Sequence, residues 1–386
     1  MEAKPSRSIL DYFAELVDPR VERTKEHPLE NILVITLCAV ICGADDWVAV
    51  EEYGCSKAEW LGAFLDLRHG IPSHDTFGRV FGLLDPQQME RCFLKWVQGV
   101  AQLTAGEVVA IDGKQLNGSG QEPMQKKRKE AKGQYAIRMV SAWACANRLV
   151  LGQRKVDAKS NEIKAIPALL ELLDLHGCIV TIDAIGTHRK IAEQIHLQGA
   201  DYVLPLKDNQ KLLHTAVAEF FQHAQQVSYR QIAHDTALAI DANHGRIEKR
   251  QCWITDDIAW LPDTTGKPLW PGLRSIAMLR SERRVGKQQT VFTHFYLTSL
   301  PPDAARFAAV VRTHWCIENQ LHWVLDVAFN EDNNRARTGH SPQNLAIIRH
   351  IALNLIKQDT VSKIGVKNRR LKAGWDDDYL ARLVWG

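Results

Sequence analysis

Between residues 107 and about 226 the chain runs through three short β-rich segments joined by turns and then alternates helix with strand. That order restricts the fold more than any other feature of its 386 residues. A strand passes through Ile111, a second covers residues 136–146 and a third residues 150–156, with Ala146-Asn147-Arg148 as a connecting turn. A helix over 162–175, a strand ending at Asp183, a helix over 188–198 and a strand over 202–206 follow. Three hairpin-linked strands followed by alternating helix and strand predict an α/β fold, a mixed sheet with flanking helices packed on it.

The segments around this core read differently. From Ile9 to about Ala101 the pattern is helical, and Ser73 after Pro72 is suited to cap a helix whose Phe77, Val80, Phe81 and Leu84 follow the i, i+3, i+4, i+7 rule. Residues 228–300 carry strand-like segments and turns, such as Pro262-Asp263 and Pro271-Gly272, and read as a β-rich insertion whose ends return to the core. A long helix over about 302–329 and a second over 342–357, with Ser341 as N-cap and Pro342 at the first helical position, follow. The expected organisation is an all-α N-terminal domain, 1–101, ahead of a second domain, 102–386, that contains the insertion at about 228–300.

Composition sets loose bounds. An apolar content of 45% and a charged content of 24% are those of an ordinary globular protein, and the net charge of +3 is weak. The basic residues are clustered, at Lys126, Lys127, Arg128 and Lys129, over 280–287 and over 357–372, which suits local contact with phosphates, although a solvated face is the plainer meaning of any one cluster. The eight scattered cysteines read as free thiols and, with no apparent signal peptide, the expected location is the cytoplasm. The apolar run Ile32 to Ala44, about 13 residues, is shorter than the roughly 20 a membrane span needs and reads as a buried helix.

Three carboxylates stand out. Asp112 and Asp183 each end a β-branched apolar run, Val108-Val109-Ala110-Ile111 and Ile179-Val180-Thr181-Ile182, and so sit at the ends of buried strands; Glu318 lies in the long helix. The succession of elements is the ribonuclease-H-like order, with Asp112 on the first strand and Asp183 at the end of the fourth. Two strand-end aspartates and a helical glutamate can converge on two divalent cations about 3.5–4 Å apart, the arrangement that clamps attacking and leaving oxygens in phosphodiester displacement. The plain alternative is that each aspartate only opens a turn after its strand.

On the long helix His314, Glu318, His322 and Asp326 recur every four residues. Four ligand-type side chains in a row raise a second class, a zinc or di-iron hydrolase with its ligands on one helix. A four-residue step drifts about 40° on a 3.6-residue helix, so His314 and Asp326 diverge and cannot share an ion. His322, between Trp315 and Trp323 that read as core, is expected with Asp326 to lie a turn or more from the carboxylates. His244, Arg246, Glu248 and Arg250 alternate onto one face of a strand in the insertion, and Arg246 and Arg250 are expected to face the cleft.

IDGK followed by LNGS, then MVSAW, KVDAKSNEIKAIPALLELLDLHGCIVTIDAIG, LKDNQ and HWCIENQLHWVLDVAFNED resemble, in order and over nearly the whole chain, the H-repeat-associated DDE transposases of bacterial insertion sequences. The resemblance implies a ribonuclease-H-like catalytic core interrupted by a mostly β insertion, behind a helical transposase-associated domain. By motif, Asp112 and Asp183 match the two catalytic aspartates and Glu318 the glutamate, with two Mg²⁺ or Mn²⁺ ions as cofactors. It implies strand cleavage and strand transfer at element ends, double-stranded DNA as partner, a homodimer or higher assembly on that DNA, and a nucleoid-associated location. A metal-dependent nuclease without strand transfer and an inactive, DNA-binding remnant are the alternatives. Related transposases carry a Tyr, an Arg and a Lys around this glutamate, where this chain has Val311, His314 and Leu325. Phosphate contacts are then expected from Lys114, Arg312 or protonated His314, together with Arg246, Arg250 and Lys126 to Lys129.

Overall fold

A computed structural model describes residues 8–120, 136–157, 162–243, 245–261 and 270–386. Nine strands form one sheet: β1 (Val108–Gln115), β2 (Arg138–Ala144), β3 (Leu149–Val156), β4 (Ile179–Ile182), β5 (Asp201–Leu206), β6 (Asp235–Asn243), β7 (Arg246–Thr255), β8 (Ser275–Val285) and β9 (Gln288–Thr298). Their order across the sheet is β3-β2-β1-β4-β5-β9-β8-β7-β6. β1 pairs antiparallel with β2 and β2 with β3, whereas β1–β4 and β4–β5 are parallel. The parallel centre is covered on both faces, which is why residues 179–182 are apolar without polar alternation apart from Thr181. This is the α/β mixed sheet with the ribonuclease-H-like order.

The insertion continues the sheet. β9 pairs antiparallel with β5, joining Val203 to Thr298 and Leu206 to Phe295, and β8, β7 and β6 follow as a meander. At its other end Asp235 accepts from the backbone N–H of Ala304, the first residue of the helix Ala304–His314, at 2.8 Å. Both ends of the β-rich segment therefore return to the core.

Two faces of the central strands serve two sets of helices. Val180 and Ile182 pack toward the helices Glu162–Leu170 and Arg189–Leu197, while Ile179 and Val203 pack with Phe307, Val310 and Val311 of Ala304–His314. The helix Leu29–Ile41 is buried from Asn31 to Ile41, as an apolar run of that length requires. Among the described residues no helix is long and apolar enough to cross a membrane. Ser73 caps His74–Leu83 by accepting from Thr76 N. The helix Ser341–Gln358, followed by two further helices, Val366–Trp375 and Asp377–Trp385, packs against Leu29–Ile41, His74–Leu83 and Pro86–Val100, so helices from the two parts of the chain share one core. Ser341 lies in its first turn rather than at the cap, and its hydroxyl donates to Gly78 O at 3.2 Å.

The helix expected over 302–329 is broken. Ala304–His314 is α-helical, Glu318–His322 is a π-helical turn in which Trp323 N–H bonds Glu318 O, and Trp323–Phe329 resumes the α-helix. A wide turn of this kind re-aims the side chains it carries and is common at functional sites.

Candidate active site

Asp112 sits within β1 and Asp183 directly after the parallel neighbour β4, and the pairing of Ile111 with Ile182 sets the two aspartate positions side by side. Asp112 lies inside β1, which continues to Gln115 rather than ending at the aspartate as expected; its Oδ1 accepts from Gly113 N at 2.8 Å, and its Oδ2 lies 3.6 Å from His322 Nδ1. Asp183 caps the short 3-10 turn Ala184–Gly186, and its Oδ1 accepts from Ile185 N at 3.1 Å and Gly186 N at 3.3 Å. Glu318 comes from the π turn on the far wall, with its side chain 56% exposed.

Among the described residues, the donor atoms that converge belong to Asp112, Glu318 and His322, and Asp183 is not one of them. One donor atom each from Asp112, Glu318 and His322 lies within 4.8 Å of the others. His322 Nδ1 is 3.2 Å from Glu318 Oε2 and 3.6 Å from Asp112 Oδ2, and the ring is almost wholly buried. The expectation that His322 lies a turn or more away is thus corrected. The wide turn and the reach of two long side chains put an i, i+4 pair on one spot. Trp315 and Trp323, read as core, are 62% and 59% exposed, because each points from the helix to solvent while its neighbour in sequence turns inward.

A fourth carboxylate lies behind the strand. Successive residues of a strand face opposite ways, so Gly113 opens to the side away from Asp112. There the Glu162 carboxylate is packed so closely that a Cβ on residue 113 would stand 2.5 Å from Glu162 Cδ. Glu162 is buried, with Arg138 Nη1 3.6 Å away. Its pKa is raised, by burial first and then by the charge of Asp183. Asp112 is affected more. Burial, then the charges of Asp183, Glu162 and Glu318, push its pKa up to about 7 against the opposing Gly113 hydrogen bond. Asp112 is desolvated and feels the charges of Asp183 and Glu318 and, from behind the strand, of Glu162; a cation would relieve that repulsion, and carboxylate oxygens suit hard divalent ions such as Mg²⁺ and Mn²⁺.

The remaining residues singled out from sequence are differently occupied. Lys114 is turned inward: its Nζ is bound by Asp326, by Glu331 Oε2 at 2.8 Å and by Asp332 Oδ1 at 3.6 Å. Burial disfavours its charge, yet Glu331 and Asp326 hold its pKa above the ordinary lysine value. Its charge is spent inside the protein. His314 shares a 2.9 Å hydrogen bond with Thr181 Oγ1, and burial lowers its pKa, so it stands neutral near pH 7 and brings no positive charge to a phosphate. His314, Glu318 and Asp326 do not share one ion position, as the drift of the helix requires.

Arg250 is held by Asp241 and Glu248, each at 2.8 Å, and Arg312 also binds Asp241. Both cations stand in ion pairs, with Arg312 more exposed than Arg250. Arg246 is exposed, and no ion pair of it is seen among the described residues. Lys126, Lys127, Arg128 and Lys129 lie outside the described residues.

Sequence comparison gives a consistent result. The profile of the family described as "Transposase DDE domain" matches residues 104–355, and that described as "DDE_Tnp_1-associated" matches residues 10–97. The chain is 38% identical over 381 residues to "Putative transposase YncI" of Escherichia coli O157:H7, which covers 98% of this chain and 94% of that protein. It is 36% identical over 384 residues to "H repeat-associated putative transposase YhhI" of Escherichia coli strain K12, which covers 98% of each.

Proposed function

We propose a specific chemistry for this chain, which belongs to the DDE transposase family: Asp112, Asp183 and Glu318 hold two Mg²⁺ or Mn²⁺ ions, and the site cuts DNA at the ends of an insertion sequence and joins the freed 3′-hydroxyl to target DNA. One observation carries this reading. Asp112 and Glu318, far apart in sequence, bring donor atoms together with His322 within 4.8 Å, and Asp183, set beside Asp112 by the β1–β4 pairing, adds its charge to the burial that drives the Asp112 pKa up to about 7. Cation binding at these carboxylates would relieve that electrostatic cost.

When bound, the ions would activate the attacking oxygen and stabilise the leaving one in an in-line displacement, with no covalent protein–DNA intermediate. The chain's own residues provide the frame. Gly113 N–H fixes one oxygen of Asp112, and the amides of Ile185 and Gly186 fix Asp183. Glu318 is exposed enough to adjust to substrate, whereas His322 beside it is not. Because Lys114 and His314 offer no free positive charge, phosphate contacts fall to Arg246, to Arg312 once released from Asp241, to Arg250 once released from both Asp241 and Glu248, and to Lys126, Lys127, Arg128 and Lys129. Residues 1–101 would form the DNA-binding part and 102–386 the catalytic part, acting as a homodimer or larger assembly on paired ends.

The test is a strand-joining assay with paired duplexes carrying the inverted repeats that flank the gene, a supercoiled target, and Mg²⁺ or Mn²⁺. Joined products are expected. Nicking without joining would reduce the activity to that of a nuclease, and binding without nicking in either metal would remove the chemistry altogether.

A further inference from the structure

We infer that His322 is itself a metal ligand, so that one ion is held by Asp112, Glu318 and an imidazole nitrogen rather than by carboxylates alone; this rests on the metal-dependent reading above. The geometry is already close to what an ion requires. Around a small divalent cation with bonds of about 2.1 Å, adjacent ligand atoms stand roughly 3.0 Å apart and opposite ones roughly 4.2 Å. The separations of His322 Nδ1 from Glu318 Oε2 and Asp112 Oδ2, 3.2 and 3.6 Å, fall between those limits, and all three donor atoms lie within 4.8 Å.

The histidine is also prepared for the task in a way the acids are not. Its ring is 4% exposed, so its rotamer is set by packing, while the Glu318 side chain beside it is 56% exposed. A ligand held by its surroundings loses little freedom when an ion arrives. A neutral imidazole carries one proton. Ligation through Nδ1 places it on Nε2, which is buried and has no hydrogen-bond partner among the described residues.

An oxygen-only site and a site with one nitrogen differ in their metal preference. Imidazole suits Mn²⁺ and Co²⁺ better than Mg²⁺, which favours oxygen and water. The protein is therefore expected to bind Mn²⁺ more tightly than Mg²⁺ by a margin that depends on His322.

The experiment uses the full chain loaded with Mn²⁺ and pulsed electron paramagnetic resonance to detect nitrogen coupled to the ion, backed by calorimetric titration with Mn²⁺ and Mg²⁺. A histidine-type ¹⁴N coupling is expected, replaced by a ¹⁵N coupling in protein grown with ¹⁵N-histidine and lost in His322→Gln. The same variant is expected to weaken Mn²⁺ binding by about tenfold or more while changing Mg²⁺ binding less. Bound Mn²⁺ with no nitrogen coupling, or coupling that persists in His322→Gln, would overturn the ligand assignment and leave the proposed chemistry standing. Failure of the parent protein to bind Mn²⁺ at all would overturn both. The labelling arm needs no variant, so a poorly folded His322→Gln protein does not spare the inference.

Discussion

Lys114 Nζ lies 2.8 Å from Glu331 Oε2, and that contact ties the strand bearing Asp112 to the turn that follows the Glu318 helix. Asp326 binds the same ammonium, so the two walls of the cleft are clasped just behind the acids. Glu331 is buried; burial alone would raise its pKa, but Lys114 and Arg349 hold it below the ordinary value. Lys114→Met would leave that carboxylate short of a partner. A loss of about 3–5 kcal/mol in urea-unfolding stability is expected. The salt dependence of DNA binding should be unchanged, since no phosphate contact is lost. A drop of roughly one unit in its slope would instead show that Lys114 reaches DNA.

The state of Asp112 sets a pH dependence with a definite sign. Its pKa rises from 3.8 to about 7 in the fold, by burial first and then by Asp183, Glu162 and Glu318. The folded state then binds the proton more tightly than the unfolded chain, so metal-free protein loses stability as pH rises between these two values. For this group the loss is on the order of 4 kcal/mol. Asp112→Asn is expected to raise the urea midpoint of metal-free protein at pH 8 and to change it little at pH 3.5. Loading the parent with Mn²⁺ near pH 6 should release a proton, measurable from the buffer dependence of the binding heat. An unchanged midpoint at pH 8 would contradict the crowding of charge around Asp112.

Gly113 and Glu162 occupy adjoining space on the other side of β1, where a Cβ would stand 2.5 Å from the carboxylate carbon. Gly113→Ala must push Glu162 aside, at a cost of roughly 1–3 kcal/mol. Glu162→Ala makes the room, so the same glycine change should cost clearly less in that background. A double-mutant cycle by urea unfolding measures the coupling. Additive effects would mean that Glu162 does not pack on this strand.

How much of this was legible in the sequence depends on the range of the interaction. The β-branched runs before Asp112 and Asp183 announce the two parallel strands, although only Asp183 follows a strand end while β1 continues past Asp112 to Gln115, and the order of segments gives the sheet its centre. Period counting also finds the helix of Glu318 but takes it as uniformly α-helical. A single π turn leaves no mark in apolar spacing, and so the approach of His322 to Asp112 was not readable. Trp315 and Trp323 mislead for a related reason: a large apolar side chain suggests a core, but its direction is set by the turn it sits on. The inward commitment of Lys114 joins residues 217 positions apart, and the seat of Glu162 against Gly113 joins a helix start to a strand. Neither has a local signal; the one hint is a glycine inside a strand pattern, which marks close approach by a neighbour.

Asp241 pins two cations at once, Arg250 across the hairpin and Arg312 on the helix that leads to Glu318. If these arginines serve DNA, the aspartate competes with phosphate for them. Asp241→Ala should tighten non-specific DNA binding at low salt and steepen its salt dependence by roughly one to two units of slope. Equal affinity and slope in a gel-shift series would remove Arg312 from the interface, whereas Arg250 still has Glu248 as a partner.

The central claim is that metal ligation by three carboxylates is separate from the cations that hold DNA, and Glu318→Gln tests it most directly. The substitution keeps the shape and a hydrogen-bonding head but removes the charge that holds an ion. Gel-shift and nicking assays on the same preparations, with element-end duplex and either Mg²⁺ or Mn²⁺, give both readouts. The expected result is binding nearly as tight as the parent's with nicking abolished in both metals; metal-dependent nicking that persists at a rate near the parent's would show that Glu318 is not the third carboxylate of the site.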